Sequence, residues 1–214
     1  MGGEGSCDPC DPKKRHVRAT GPEVASAAVS VAPRLCVYCA SNHGIDPRYA
    51  EAASALGTLM GSRGIDLVYG GGHVGLMGLV ADGVLESGGR VTGVITRQLV
   101  DREIAHEGVT DLVVVEDMPE RKRAMFEAAD AFMTLPGGVG TMEEFFEVLC
   151  WGYLGIHPKP MGLLNVAGYY DPLIEFIDRS VTEGLCKPRV RELLEVSDDV
   201  EGLLATLLPA HREV

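Results

Sequence analysis

From Arg34 onward the chain alternates short, uninterrupted apolar runs with longer stretches whose apolar positions recur every three or four residues. The runs, at 35–40, 66–69, 90–95, 111–115, 131–135 and 161–164, are bounded by Gly, Pro or charge. Each reads as a strand, and the lack of polar alternation within them implies that both sheet faces are covered. Helical patterns lie at 47–62, 75–87, 119–129, 141–154, 171–183 and 200–207. Strand and helix in regular alternation predict an α/β fold: a Rossmann-like, doubly wound parallel sheet with helices on both faces, in a single domain over 34–214. A sheet of this kind binds ligands in the loops beyond the carboxyl ends of its strands, so the chemistry is sought there.

The first 33 residues break the rhythm. Gly, Ser, Pro and charge give way to Ala, Val and Ser without a single Leu, Ile or Phe, so 1–33 is expected to be a disordered extension. Met1-Gly2 with Ser6 fits a short N-myristoylation pattern, and 13–18 followed by 24–32 faintly resembles a targeting peptide that Gly21-Pro22-Glu23 interrupts. A plain tail on a cytoplasmic protein is the expectation. Cys7 and Cys10 form a C-x-x-C with no second Cys or His pair at finger spacing, so no metal is expected. Cys36 and Cys39 fall in a strand run where positions three apart face opposite sides, and Cys150 and Cys186 read as lone core thiols.

Composition narrows the function. A chain of 214 residues, 46% hydrophobic and 23% charged, suits one core, and no apolar run reaches the length of a membrane span. With 31 acidic against 19 basic residues the net charge is −12, which disfavours nucleic acid and anionic membrane as partners. A small anionic ligand then needs a local positive pocket. The 27 glycines set against 6% aromatic residues favour phosphate cradles over stacking platforms.

Three loops after strands are unusual. The first carries Ser41, Asn42, His43 and Gly44, small polar groups that suit a turn or a ligand equally. The second, Gly70-Gly71-Gly72-His73-Val74-Gly75-Leu76-Met77-Gly78, lacks the Lys-Ser/Thr ending of a P-loop and the G-x-G-x-x-G spacing of a dinucleotide site. Its glycines, Gly71 and Gly72 among them, let backbone approach a ligand or allow close packing of helix on strand. The third is the most informative: Leu135-Pro136-Gly137-Gly138-Val139-Gly140-Thr141-Met142-Glu143-Glu144 joins a strand to an amphipathic helix. Gly137 to Thr141 would form a cradle of N–H groups and one hydroxyl at a helix start, where the dipole favours an anion. Glu143 and Glu144, placed in the first turn, lie about 100° apart, so at most one faces the ligand. Upstream, Arg121 shares a helix face with Ala124, Met125 and Ala128 and should point inward, whereas Lys122 and Arg123 look more solvated.

The combination of Pro136-Gly137-Gly138-x-Gly140-Thr141-x-x-Glu144 with Glu120-Arg121-Lys122, the Gly70–Gly78 loop, Leu154-Gly155-Ile156-His157-Pro158-Lys159-Pro160 and Gly168-Tyr169-Tyr170 resembles the LOG (Lonely Guy) family of cytokinin-activating phosphoribohydrolases. The resemblance spans about 35–185. It implies hydrolysis of the N-glycosidic bond of a cytokinin riboside 5′-monophosphate, with Arg121 and Glu144 as the catalytic pair. Glu103 and Lys122 match substrate-binding positions, and Gly138, Val139, Gly140, Thr141, Met142 and Glu143 match the loop around the phosphate. Ser41, Gly71, Gly72 and Gly137 complete the expected substrate contacts. Pro119 stands where relatives often carry His, and Cys150 where plant relatives often carry Thr.

Elementary chemistry agrees. Breaking a ribosyl C–N bond develops positive charge on the sugar, which a fixed carboxylate stabilises, so no cofactor and no metal is expected. Such sequences have been labelled lysine decarboxylases, yet no recognisable pyridoxal-phosphate Schiff-base lysine site is present. Two alternatives are a general purine nucleotide (AMP) N-glycosidase and a non-catalytic carrier similar to molybdenum-cofactor carrier proteins. Phe145, Phe146, Val148, Leu149, Trp151, Tyr153 and Leu154 make the helix at 141–154 apolar over more than one face, and a homodimer is expected.

Overall fold

The computed structural model describes residues 32–100 and 105–209. The expected extension, with its Cys7–Cys10 pair and its lipidation and targeting patterns, falls outside the described residues except for Ala32 and Pro33. The elements are β1 (Arg34–Tyr38), α1 (Pro47–Ser62), β2 (Asp66–Tyr69), α2 (Gly75–Glu86), β3 (Val91–Thr96), α3 (Arg97–Val100), β4 (Asp111–Val115), α4 (Met118–Ala128), β5 (Ala131–Thr134), α5 (Val139–Tyr153), β6 (Met161–Leu164), α6 (Asp171–Thr182), α7 (Arg189–Glu192), β7 (Leu194–Ser197) and α8 (Val200–Leu207).

Seven strands pair in the order β4-β3-β2-β1-β5-β6-β7, and every pairing is parallel. The chain walks outward from β1 to β4, then returns to start β5 on the other flank of β1. That reversal opens a crevice beyond the carboxyl ends of β1 and β5. Successive residues of β1 face opposite layers. Leu35 and Val37 pack with Leu56, Met60, Val80 and Leu204 from α1, α2 and α8, while Cys36 and Tyr38 pack with Met125, Phe145 and Leu149 from α4 and α5. Cys36 and Cys39 accordingly lie in different layers, as the strand periodicity requires.

Two expectations fail at the edges of the sheet. The run 111–115 does form a strand, but Leu112, Val113 and Val114 are each about 40% exposed instead of doubly covered. β4 is the outermost strand and the overlying α4 packs on its inner neighbour β3, so an apolar run there is paired on one side only. At the opposite edge, β7 was not foreseen: Glu195 interrupts a four-residue strand too short to declare itself by pattern.

Candidate active site

α5 begins with its N-cap at Gly138, and the first bond of the helix is Met142 N–H to Gly138 O. The N–H groups of Val139, Gly140 and Thr141 therefore have no intrahelical acceptor and point at the crevice end of the helix. No side chain caps them. The preceding loop is fixed through its carbonyls: the Tyr169 hydroxyl donates to Gly137 O at 2.7 Å and the Tyr170 hydroxyl to Leu135 O at 2.6 Å. A Cβ on Gly137 would overlap the buried Thr141 side chain, so the turn requires glycine at that position. A cavity of about 220 Å³ opens beside this loop, lined by Asn42, His43, Tyr49, Pro136, Gly137 and Tyr169 among others.

Arg121 is buried as its helix face predicted, and three elements hold its guanidinium. Nε donates to Val94 O of β3 at 2.9 Å, Nη2 to Gly70 O after β2 at 3.1 Å, and Nη1 to Glu144 Oε1 of α5 at 2.9 Å. The helix that presents it is well started. Asp117 caps α4 by accepting the Glu120 N–H at 2.8 Å, Pro119 lies in the first turn, and Glu120 reaches back to the Glu116 N–H at 2.9 Å. Gly70 also supplies space, because a Cβ there would collide with the guanidinium. Glu144 follows Thr141 by three residues, on the same side of α5 and about 4.5 Å further along its axis. Burial pushes the Glu144 carboxyl above the usual carboxylate range, and Arg121 pulls against that shift. The result is a dry carboxylate, held by one guanidinium, a turn behind a set of free N–H groups.

A second ion cluster runs alongside. Lys122 Nζ donates to Glu143 Oε1 at 2.5 Å and to Glu147 Oε1 at 3.0 Å, and these bonds, Glu143's foremost, raise its pKa. The Lys122 side chain is only 17% exposed, which corrects the solvated reading; helix spacing reports a residue's own helix, and the carboxylates that cover Lys122 belong to α5. Arg123 is exposed as expected. Because α5 starts at Val139, Glu143 and Glu144 occupy its second turn rather than its first, so neither caps the helix. As anticipated, they diverge, Glu143 toward solvent and Glu144 inward.

The other expected contacts lie in the first two loops and beyond β3. Ser41 is exposed near the start of the first loop, whose backbone packs so closely on Gly75 that a side chain on Gly75 would overlap it; Gly75 also has φ +64°. Gly71 and Gly72 are buried: Gly71 O accepts the His106 N–H at 2.9 Å and Gly72 pairs with Ala105. The glycine run holds Arg121 through Gly70 and packs closely through Gly71 and Gly75. Glu103 lies outside the described residues. Cys150 is exposed on α5 and Cys186 is partly exposed, so neither is the core thiol expected; Cys150 falls on the outer helix face with Phe146. Gly70, Glu147 and Met118, whose sulfur lies 3.8 Å from Arg121 Nη1, make contacts to Arg121 or Lys122 that pattern alone does not single out.

Comparison with known proteins follows this geometry. Residues 77–207 match a family model described as possible lysine decarboxylase. A probable cytokinin riboside 5′-monophosphate phosphoribohydrolase of Oryza sativa subsp. japonica is 48% identical over 198 residues, covering 91% of this chain and 81% of its own. A cytokinin riboside 5′-monophosphate phosphoribohydrolase of Arabidopsis thaliana is 47% identical over 184 residues, covering 85% and 86%. Among solved structures, the molybdenum cofactor binding protein of Rippkaea orientalis superposes with a TM-score of 0.63 at 19% identity over 83% of this chain and 96% of that one. The Moco carrier protein of Chlamydomonas reinhardtii gives 0.62 at 20% identity over 82% and 95%. At such identities the superpositions establish a shared fold, whereas the sequence relatives establish kinship over most of the chain. The chain belongs to the LOG family.

Proposed function

We propose that the chain is a cytoplasmic N-glycosyl hydrolase that converts cytokinin riboside 5′-monophosphates into free N6-substituted adenine and ribose 5-phosphate. The observation that carries this reading is the buried Arg121–Glu144 pair set one helical turn behind the free N–H groups of Val139 to Thr141. A 5′-phosphate at the helix start leaves the ribose alongside Glu144. The C1′–N bond breaks with its electron pair going to the base, water adds to C1′, and the proton lost by water balances the one the base takes up. Glu144, desolvated, stabilises the positive charge that develops on the sugar, and Arg121 holds it ionised and in place. Lys122, paired with Glu143 beside Arg121, serves substrate hydroxyls in this reading. A phosphate-ligand carrier would use the cradle and leave the buried pair without a task.

The test is release of free base from isopentenyladenosine 5′-monophosphate and from AMP by the purified protein. Base released from the former supports the reading. Release from AMP at equal or greater kcat/KM would recast the protein as a general purine nucleotide glycosidase, and no release from either would remove the hydrolase assignment.

A homodimer is part of this proposal. Phe145, Val148 and Leu149 of α5 are spent on the core, yet Phe146 and Leu154 on its outer side are 39% and 64% exposed. Sedimentation at micromolar concentration is expected to give twice the monomer mass, and Phe146→Glu to shift the protein toward monomer. A wild-type monomer that keeps full specific activity on dilution would remove the dimer.

A further inference from the structure

We infer that Met118 is the apolar wall of the base subsite and sets the preference for an alkylated N6 over a bare amine, an inference that rests on the hydrolase reading above. Arg121 Nη1 has two neighbours, Glu144 Oε1 at 2.9 Å and the Met118 sulfur at 3.8 Å. The guanidinium's other bonds run to buried carbonyls of Val94 and Gly70, which leaves Nη1, the nitrogen that Met118 borders, as the one bonded to a side chain. There Met118 is 44% exposed, an uncovered apolar side chain touching the catalytic arginine. Its backbone is not free to move away, since it is the first residue of α4, between the Asp117 cap and Pro119.

Met77, whose sulfur lies beside Gly70, is more buried than Met118, and the neighbouring Lys122, Glu143 and Glu147 are charged and hold one another by hydrogen bonds. A bare exocyclic amine gains little from a thioether, whereas a five-carbon alkyl group buries apolar area against it. Methionine suits this task because it is unbranched and polarizable and adapts to the shape it meets.

The test compares wild type, Met118→Ala and Met118→Leu on AMP and isopentenyladenosine 5′-monophosphate, and reads the ratio of the two kcat/KM values. Any disturbance of Arg121 is common to both substrates and cancels in that ratio. In Met118→Ala the ratio is expected to fall about tenfold, the discrimination of roughly one methylene-sized contact, while Met118→Leu retains it. An unchanged ratio in Met118→Ala overturns the inference. Equilibrium binding of the same nucleotides to the same three proteins judges Met118 separately: absent turnover would sink the hydrolase reading, while a preference for the alkylated nucleotide that Met118→Ala fails to weaken would sink this one.

Discussion

Glu144→Gln is expected to lower kcat for base release by about 10²–10³-fold or more while leaving nucleotide affinity nearly intact, because the carboxylate acts on charge that appears only in the transition state. Glutamine keeps an acceptor for Arg121 Nη1, so the fold is retained. A carboxyl whose folded pKa is raised contributes stability below its unfolded value and loses that contribution as pH rises through the folded value, so Glu144 makes the fold more stable in acid than at neutral pH. Because glutamine leaves the buried Arg121 charge without its counter-ion, melting of Glu144→Gln is measured beside kcat, and a cooperative transition that persists at assay temperature separates lost chemistry from lost fold. The same shift predicts that the acid limb of wild-type kcat/KM lies above the ordinary glutamate value of about 4.3. Arg121→Ala should lose a similar factor, and Gly70→Ala should approach it by displacing the guanidinium without touching a charged residue. Near wild-type turnover in Glu144→Gln would end the proposed mechanism.

The parts of this site differ in how far the chain announces them. The inward face of α4 was readable because Ala124, Met125 and Ala128 recur at helical spacing after Arg121, and the helix-start cradle because glycines precede an amphipathic run. Inner strands declared themselves because burial on both faces removes polar alternation; β4 looked the same, but whether a run lies at an edge depends on strand order, which pattern does not carry. The start of α5 was set two residues late because Gly140 reads as loop, although it is helical here. Gly70 was hardest to assign. Its carbonyl and its missing side chain serve an arginine 51 residues away, a relation that exists only once β2, β3 and α4 are assembled. Lys122 departs from the solvated expectation for the same reason, its partners being on another helix.

The cradle leads to the second large effect. If the N–H groups of Val139, Gly140 and Thr141 receive the phosphate, the 5′-monophosphate should exceed the unphosphorylated riboside in kcat/KM by about a hundredfold or more, since binding energy remote from the bond being broken lowers its barrier. The chain's net charge of −12 makes this test sharp: the protein as a whole repels a phosphate, so a preference for it must come from the local site. The triphosphate should also be poor, because a helix start with three free N–H groups matches one phosphoryl group and the added charge meets an acidic surface. Gly137→Ala forces a methyl group into Thr141 and turns the loop, so it should erase most of the phosphate preference while altering turnover of the riboside little. Parallel assays of riboside, monophosphate and triphosphate on wild type and Gly137→Ala settle the point, and a riboside handled as well as its monophosphate would remove the phosphate from the start of α5.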